Sequence, residues 1–301
     1  MPQFVPVQNQ LGQRLDSVIA KVLGVPRAQV QKAIESGSVT VGGQWIKRPA
    51  FKLQTLSEIV VTFPAKESLT LTPKNIPLTF LYEDEALLVV NKPAGMVVHP
   101  GAGRETETLV HALLAHCPDL PAGSEENKPG IVHRLDQGTS GAMVVAKTSA
   151  AMTHLLKQFK ARQVQKIYQA LVVGKMSGTG VINQPIGRHV KTRQKISSHT
   201  HKGREAITEW EAVESLGPFT LLHITLRTGR THQIRVHLSE RGHPIVGDPV
   251  YGKKNASSFS RPALHAWKLG FVHPVTEKQI SFVAPLPEEL LSLLAECRGL
   301  R

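Results

Sequence analysis

Residues 130–146 join a charged loop to an apolar run. Gly130-Ile131-Val132-His133-Arg134-Leu135-Asp136-Gln137-Gly138-Thr139-Ser140-Gly141 sets His133, Arg134 and Asp136 close together. It leads straight into Ala142-Met143-Val144-Val145-Ala146. Such a short apolar run reads as a buried strand, and a charged loop that feeds one is a candidate site. Leu87-Leu88-Val89-Val90 reads as a second buried strand. Further strands are expected over Lys166–Val173, Thr220–Leu226 and Gln279–Val283. Over Ser149–Arg162 the residues Met152, Leu155, Leu156 and Phe159 share one helical face, with Lys157, Lys160 and Arg162 turned away. Helices are also expected over Thr231–Arg241 and Pro287–Cys297. These elements mix without a regular strand–helix repeat, which predicts an α+β fold, not a doubly wound sheet.

The first 63 residues read as a separate small domain. Leu15, Val18, Ile19, Val22 and Leu23 recur at helical spacing, and Gly24 stops the helix. Pro26 suits the first turn of a second helix carrying Val30, Ala33 and Ile34. Val39-Thr40-Val41, the pair Gly42-Gly43 and Gln44-Trp45-Ile46 then read as a hairpin, and Ile59–Phe63 as another strand. Arg14, Arg27, Gln31, Lys32, Lys47 and Arg48 decorate this module. With Arg14-Leu15-Asp16 ahead of a basic helix and hairpin, it resembles an S4-type RNA-binding domain. The resemblance implies that those six residues contact RNA through charge and shape. Pro64 to Pro77 reads as a linker, which leaves 78–301 as one larger domain.

The composition restricts the partners. A formal net charge of +13 and a pI near 9.9 point to a polyanion, and nucleic acid is the commonest. No segment approaches ~18 uninterrupted apolar residues, as a membrane helix requires. The N-terminus lacks the basic start and apolar block of a secretory signal. Cys117 and Cys297 fit no metal spacing, and a reducing cytoplasm is the expected location. The 14 histidines include no His-Glu-x-x-His pair, so no catalytic metal is expected. Ser140 lies in Thr-Ser-Gly and not in a nucleophile elbow, which argues against a hydrolase built on Ser140 and His133.

What remains is Asp136 among cations. Thr228-Gly229-Arg230-Thr231-His232-Gln233-Ile234-Arg235-Val236-His237 offers a counter-charge from a helix. Together with His133–Gly141, Lys166-Ile167-Tyr168, Asn91-Lys92-Pro93-Ala94-Gly95, His99–Gly103, Gly242–Asp248 and Leu264-His265-Ala266, this segment resembles the RluA family of pseudouridine synthases. The matches run in order from Leu81 to Pro287. At Gly138 the chain departs from the family, where an acidic residue is frequent.

The resemblance implies a mixed, largely antiparallel sheet with flanking helices. It implies isomerisation of uridine in RNA to its C-glycoside, with no cofactor and no metal. Asp136 matches the family's essential aspartate, acting either as a nucleophile at C1′ or as a base at C2′. Tyr168 matches the active-site tyrosine, and Arg235 the arginine paired with the aspartate. Arg134 matches the arginine that fills the RNA stack where the target base left. Ile245 and Val246 are assigned to the wall of the uracil pocket, with plain core as the other reading. The basic run Gly187–Lys195 contributes Arg188, Lys191 and Arg193 as RNA contacts. The S4 module and the His-Pro-Gly-Ala-Gly segment resemble the D-type enzymes of large-subunit ribosomal RNA. That RNA, or its precursor particle, is therefore the expected partner of a monomer. C-type rRNA sites, tRNA, and an inactive RNA-binding assembly factor are the alternatives.

Overall fold

The computed structural model describes residues 2–63, 71–101, 106–123, 127–189, 192, 195–200, 202–252 and 258–299. The chain divides into two compact units, Met1–Ser68 and Leu69–Arg301. Of the expected linker, the described part belongs to the second unit. Leu71 packs against its core, and the Lys74 N–H donates to the His111 carbonyl at 2.9 Å.

In the first unit β1 (Gln3–Phe4) precedes helices α1 (Leu15–Leu23) and α2 (Arg27–Glu35), then β2 (Val39–Val41), β3 (Gln44–Trp45) and β4 (Ile59–Val61). The strands form a sheet in the order β1-β4-β2-β3. Leu15, Val18 and Ile19 of α1 meet Val30, Ala33 and Ile34 of α2 over Val39, Ile59 and Val61. Gly24 ends α1 at φ 65°, the left-handed cap that glycine takes without strain.

The second unit runs through β5 (Thr79–Glu83), β6 (Leu87–Lys92), α3 (Leu109–His116), β7 (Ser140–Ala146), α4 (Ser149–Lys160), β8 (Gln165–Val173), β9 (Thr179–Asn183), β10 (Gly187–Arg188) and β11 (Ile196–Ser197). There follow β12 (Ile207–Leu216), β13 (Phe219–Leu226), α5 (Gln233–Glu240), β14 (Leu264–Val272), β15 (Gln279–Val283) and α6 (Glu288–Gly299). Nine of these strands form one sheet, ordered β5-β6-β7-β14-β8-β13-β12-β9, with β15 on β14. The pairing of β14 with β7 is parallel and the others are antiparallel. Both faces are covered, which is why β6 and β7 are continuously apolar. Leu88, Val90, Met143 and Val145 face α3, α5 and α6, whereas Leu87, Val89, Val144 and Ala146 face α4. Among the described residues no helix is long and apolar enough to cross a membrane.

The parallel junction sets the geometry at the end of the charged loop. Gly141 pairs with Ala266, has φ 118°, and an added Cβ would lie 2.3 Å from the Ala266 carbonyl oxygen. Gly141→Ala is therefore expected to cost at least about 2 kcal/mol through backbone strain and overpacking. Urea unfolding measures it, and an unchanged midpoint would contradict the close approach.

Candidate active site

Residues 133–139 cross the mouth of the sheet as a loop fixed at several points. The His133 imidazole accepts the Val144 N–H at Nε2 (3.1 Å) and stacks on Phe159. Burial pushes its pKa down to about 3, so it is neutral. His133 is thus a strut of the loop. The Gln137 carbonyl accepts the Gly95 N–H at 2.9 Å and the Lys92 ammonium at 3.3 Å, and the Gln137 amide donates to the Gly95 carbonyl. Lys92 is fully buried and donates also to the carbonyls of Pro93 and Met96. Burial lowers its pKa to about 7, against the pull of Asp136. Ser140 is buried with its hydroxyl on His265 Nδ1 at 2.8 Å, away from His133.

The loop presents Asp136 to a helix that begins almost a hundred residues later in the chain. Arg235 on α5 donates from Nη1 to Asp136 Oδ2 at 3.2 Å. Its Nε and Nη2 form a bidentate pair with Asp248, at 2.7 and 3.0 Å. Asp248 is buried, and its Oδ1 also accepts the N–H groups of Val250 and Tyr251. Burial alone would raise the Asp248 pKa, but Arg235 holds it below its ordinary value. The guanidinium lies over the Tyr251 ring, 5.1 Å from its centroid. The two carboxylates therefore share one cation unequally. Asp248 saturates it, while Asp136 has a single longer bond and remains one-fifth exposed. Among the described residues no hydrogen bond reaches Asp136 Oδ1. Of the two acids it is the one with an oxygen open to the cavity.

Asp136 lies on the wall between two cavities. One, of about 500 Å³, is lined by Asp136, Arg235, Tyr168, Leu135, Ile234 and Leu264, with Lys160, Arg162, Lys166, Arg227 and Arg230 among its other residues. A lining that sets Leu135, Ile234 and Leu264 beside several cations suits a base joined to a phosphodiester chain. Tyr168 on β8 is buried, and burial together with the Asp136 charge raises its pKa, so the phenol stays protonated. The other cavity, about 1140 Å³, carries Arg134, Arg261, Phe259 and Pro249 beside Asp136. Arg134 is exposed and borders both.

RNA pseudouridylate synthases match this chain over residues 86–240, and S4 domains over residues 13–59. The chain belongs to the RNA pseudouridylate synthase family. It is 44% identical to an uncharacterised RNA pseudouridine synthase of Synechocystis, over 97% of this chain and 91% of that one. It is 40% identical to ribosomal large subunit pseudouridine synthase D of Zymomonas mobilis, over 96% and 95% of the two chains. Among solved structures, human RNA pseudouridylate synthase domain containing 1 superposes with a TM-score of 0.60 at 29% identity, covering 73% of this chain and 87% of that one. Within this family fold, Asp136, Arg235 and Tyr168 converge on one cavity.

Other expected residues fall differently. Ile245 and Val246 do not line either cavity. They are buried in the main core, where the Val246 N–H donates to the Leu171 carbonyl and Ile245 bridges Val172. An apolar pair held to β8 by backbone bonds packs into the core; Leu135, Ile234 and Leu264 supply apolar walls instead. Arg14, Arg27 and Gln31 are not independent surface groups. All three donate to the buried carboxylate of Asp16, at 2.9, 3.2 and 2.7 Å. Those bonds outweigh burial and hold Asp16 far below the ordinary carboxylate range. Lys32, Lys47, Arg48 and Arg188 are exposed. Lys191 and Arg193 lie outside the described residues.

Asp248, His232, Tyr251 and Lys92 were not singled out by sequence. Asp248, His232 and Lys92 lie inside segments that carried the family resemblance, so the motif itself was the available signal. His232 precedes α5 as its N-cap, in the left-handed region at φ 56°, which is strained for a residue with a Cβ. Glu83, His116 and Cys117 group at metal-like spacing. They line neither cavity, and the Lys147 ammonium already occupies Glu83 Oε1 at 2.8 Å.

Proposed function

We propose that this protein isomerises specific uridines of large-subunit ribosomal RNA to pseudouridine, with Asp136 as the catalytic carboxylate. The observation that carries the reading is the unequal sharing of Arg235. It leaves Asp136 oriented by a single bond, with its other oxygen open, at the edge of a cavity of nucleoside size. The target RNA is supported by relatives named ribosomal large subunit pseudouridine synthase D, aligned along nearly the whole chain.

The uridine is extruded into the smaller cavity, and Arg134 fills the gap it leaves in the RNA stack. Asp136 attacks C1′ or takes the C2′ proton, and either step frees the uracil. The base turns against the Tyr168 ring and rejoins the ribose through C5. The C5 proton then leaves to solvent. Arg235 compensates the Asp136 charge throughout. The S4 unit holds the RNA through Arg14, Arg27, Gln31, Lys32, Lys47 and Arg48, with Arg188 adding to the grip of the second unit. The protein acts as a monomer in the cytoplasm.

Because the C5 hydrogen is lost, a transcript labelled with tritium at uridine C5 releases label as product forms. Release is expected from large-subunit rRNA transcripts. No release from these or from tRNA would overturn the reading.

The S4 assignment has its own expected result. Replacing Lys32, Lys47 and Arg48 by Ala should lower the slope of log K against log salt by about 2 to 3, at about 0.7–0.9 per phosphate contact. An unchanged slope in filter binding would remove these residues from the interface.

A further inference from the structure

His232 faces Asp136 without bonding to it. Its Nε2 lies 3.9 Å from Asp136 Oδ2, beyond hydrogen-bond length. Its other nitrogen, Nδ1, lies 3.0 Å from the Tyr251 hydroxyl. The Tyr251 oxygen accepts the Ile196 N–H at 2.9 Å. Among the described residues Nδ1 is the acceptor available to the phenol proton. The phenol therefore donates to Nδ1, and a neutral imidazole then carries its own proton on Nε2. Burial favours that neutral form by lowering the His232 pKa, against the pull of Asp136. Tyr251 is itself held, its ring beneath the Arg235 guanidinium. The site thus presents a fixed N–H donor and a carboxylate acceptor, 3.9 Å apart, at the wall of both cavities.

A single oxygen at about 2.8 Å from each atom fits that gap. It must accept from Nε2 and donate to the carboxylate. A phosphate oxygen or a uracil carbonyl can only accept, and Asp136 would repel it. A hydroxyl does both. Within an RNA chain the 3′ and 5′ oxygens are esterified, so the free sugar hydroxyl is the 2′-OH.

We propose that the ribose 2′-hydroxyl of the target residue binds between Asp136 and His232. It donates to the carboxylate and accepts from Nε2–H. His232 is then a substrate-contacting residue that selects ribose over deoxyribose, and Tyr251 is the positioning residue that fixes its tautomer. The inference rests on the cavity being the uridine site. It adds a function for the strained residue that caps the N-terminus of α5.

The test uses a synthetic stem-loop containing a uridine that the wild-type protein converts. The stem-loop is made with ribose or with 2′-deoxyribose at that one residue. The readout is the ratio of kcat/KM for the two substrates. Removing the hydroxyl changes the intrinsic reactivity of the glycosidic bond, and comparison between variants cancels that change. Wild type is expected to prefer ribose by about 10²-fold or more, because the deoxy substrate leaves two site groups unpaired. His232→Ala should shrink the preference by about tenfold, and His232→Gln, whose amide can still donate, should keep most of it. A general loosening of the site would slow both substrates alike and leave the ratio unmoved. An equal ratio in wild type and His232→Ala overturns the proposal. If His232→Ala does not fold, Tyr251→Phe keeps the ring under Arg235 and frees the tautomer; its ratio is expected to fall about threefold, and an unchanged ratio overturns the proposal equally. A wild-type protein that converts no uridine even in ribose form would instead overturn the function on which this rests.

Discussion

Asp136→Asn is expected to lower turnover by about 10⁴-fold or more while leaving the fold and RNA affinity intact. The amide is isosteric with the carboxylate and can still accept from Arg235 Nη1 through its oxygen. The loop, fixed through Gln137, Lys92 and His133, has no reason to move. What disappears is the anion. An amide neither attacks C1′ nor removes a proton from C2′, so both routes fail together. Affinity should be equal or slightly tighter, since a negative charge has been removed from beside a polyanion. Single-turnover kinetics and filter binding on the same RNA separate the two effects. Turnover within tenfold of wild type would remove Asp136 from the chemistry.

Asp248→Ala is expected to destabilise the second unit and disable the site together. Asp248 is fully buried and takes two bonds from a guanidinium that is itself almost buried. Its removal leaves Arg235 with one monodentate partner and no bidentate one. Breaking a buried pair in this way typically costs about 3–5 kcal/mol, because a charge is left buried and uncompensated. The N–H groups of Val250 and Tyr251 lose their acceptor as well, so the turn beneath α5 loosens. Arg235 is then free to engage Asp136 more fully. That would quench the open carboxylate, and a misplacement of about 1 Å can lower kcat by about 10²-fold. Asp248→Asn keeps the shape and one acceptor and should be milder in both respects. Chemical denaturation and tritium release read the two consequences. A variant as stable and as active as wild type would contradict the assignment of Asp248 as the anchor of Arg235.

The local elements were legible where hydrophobic period and punctuation agreed. Leu15, Val18 and Ile19 followed by Gly24 defined α1, and Val39–Val41 before two glycines defined β2. β12 was not legible. Ile207-Thr208-Glu209-Trp210-Glu211-Ala212 interleaves charge, and its identity depends on pairing with β13 and the edge strand β9. α3 is apolar around much of its surface, so no periodic face announces it. The parallel join of β14 to β7 links residues 125 apart, and nothing local encodes it. In the site, the charged loop exposed Asp136 directly. Arg235 could be read as a helical counter-charge to that acid, whereas Tyr168 was visible through a family motif alone, because three distant elements assemble the cavity. Asp248 stood within a quoted motif, but its purpose emerges only when the chain turns back beneath α5. For Ile245 and Val246 both readings stayed open in the sequence, since an apolar residue in a motif does not reveal whether it faces a cavity or the core.

A chain that makes pseudouridine in large-subunit rRNA through Asp136 leaves a pattern in that RNA that depends on the carboxylate. The most direct test is pseudouridine mapping across that RNA in cells lacking this protein, with either the wild-type or the Asp136→Asn chain restored. The account predicts that specific pseudouridines vanish in the deficient cells, return with the wild-type chain, and stay absent with Asp136→Asn. An rRNA pseudouridine pattern identical in all of these cells, or one restored by Asp136→Asn, would contradict it.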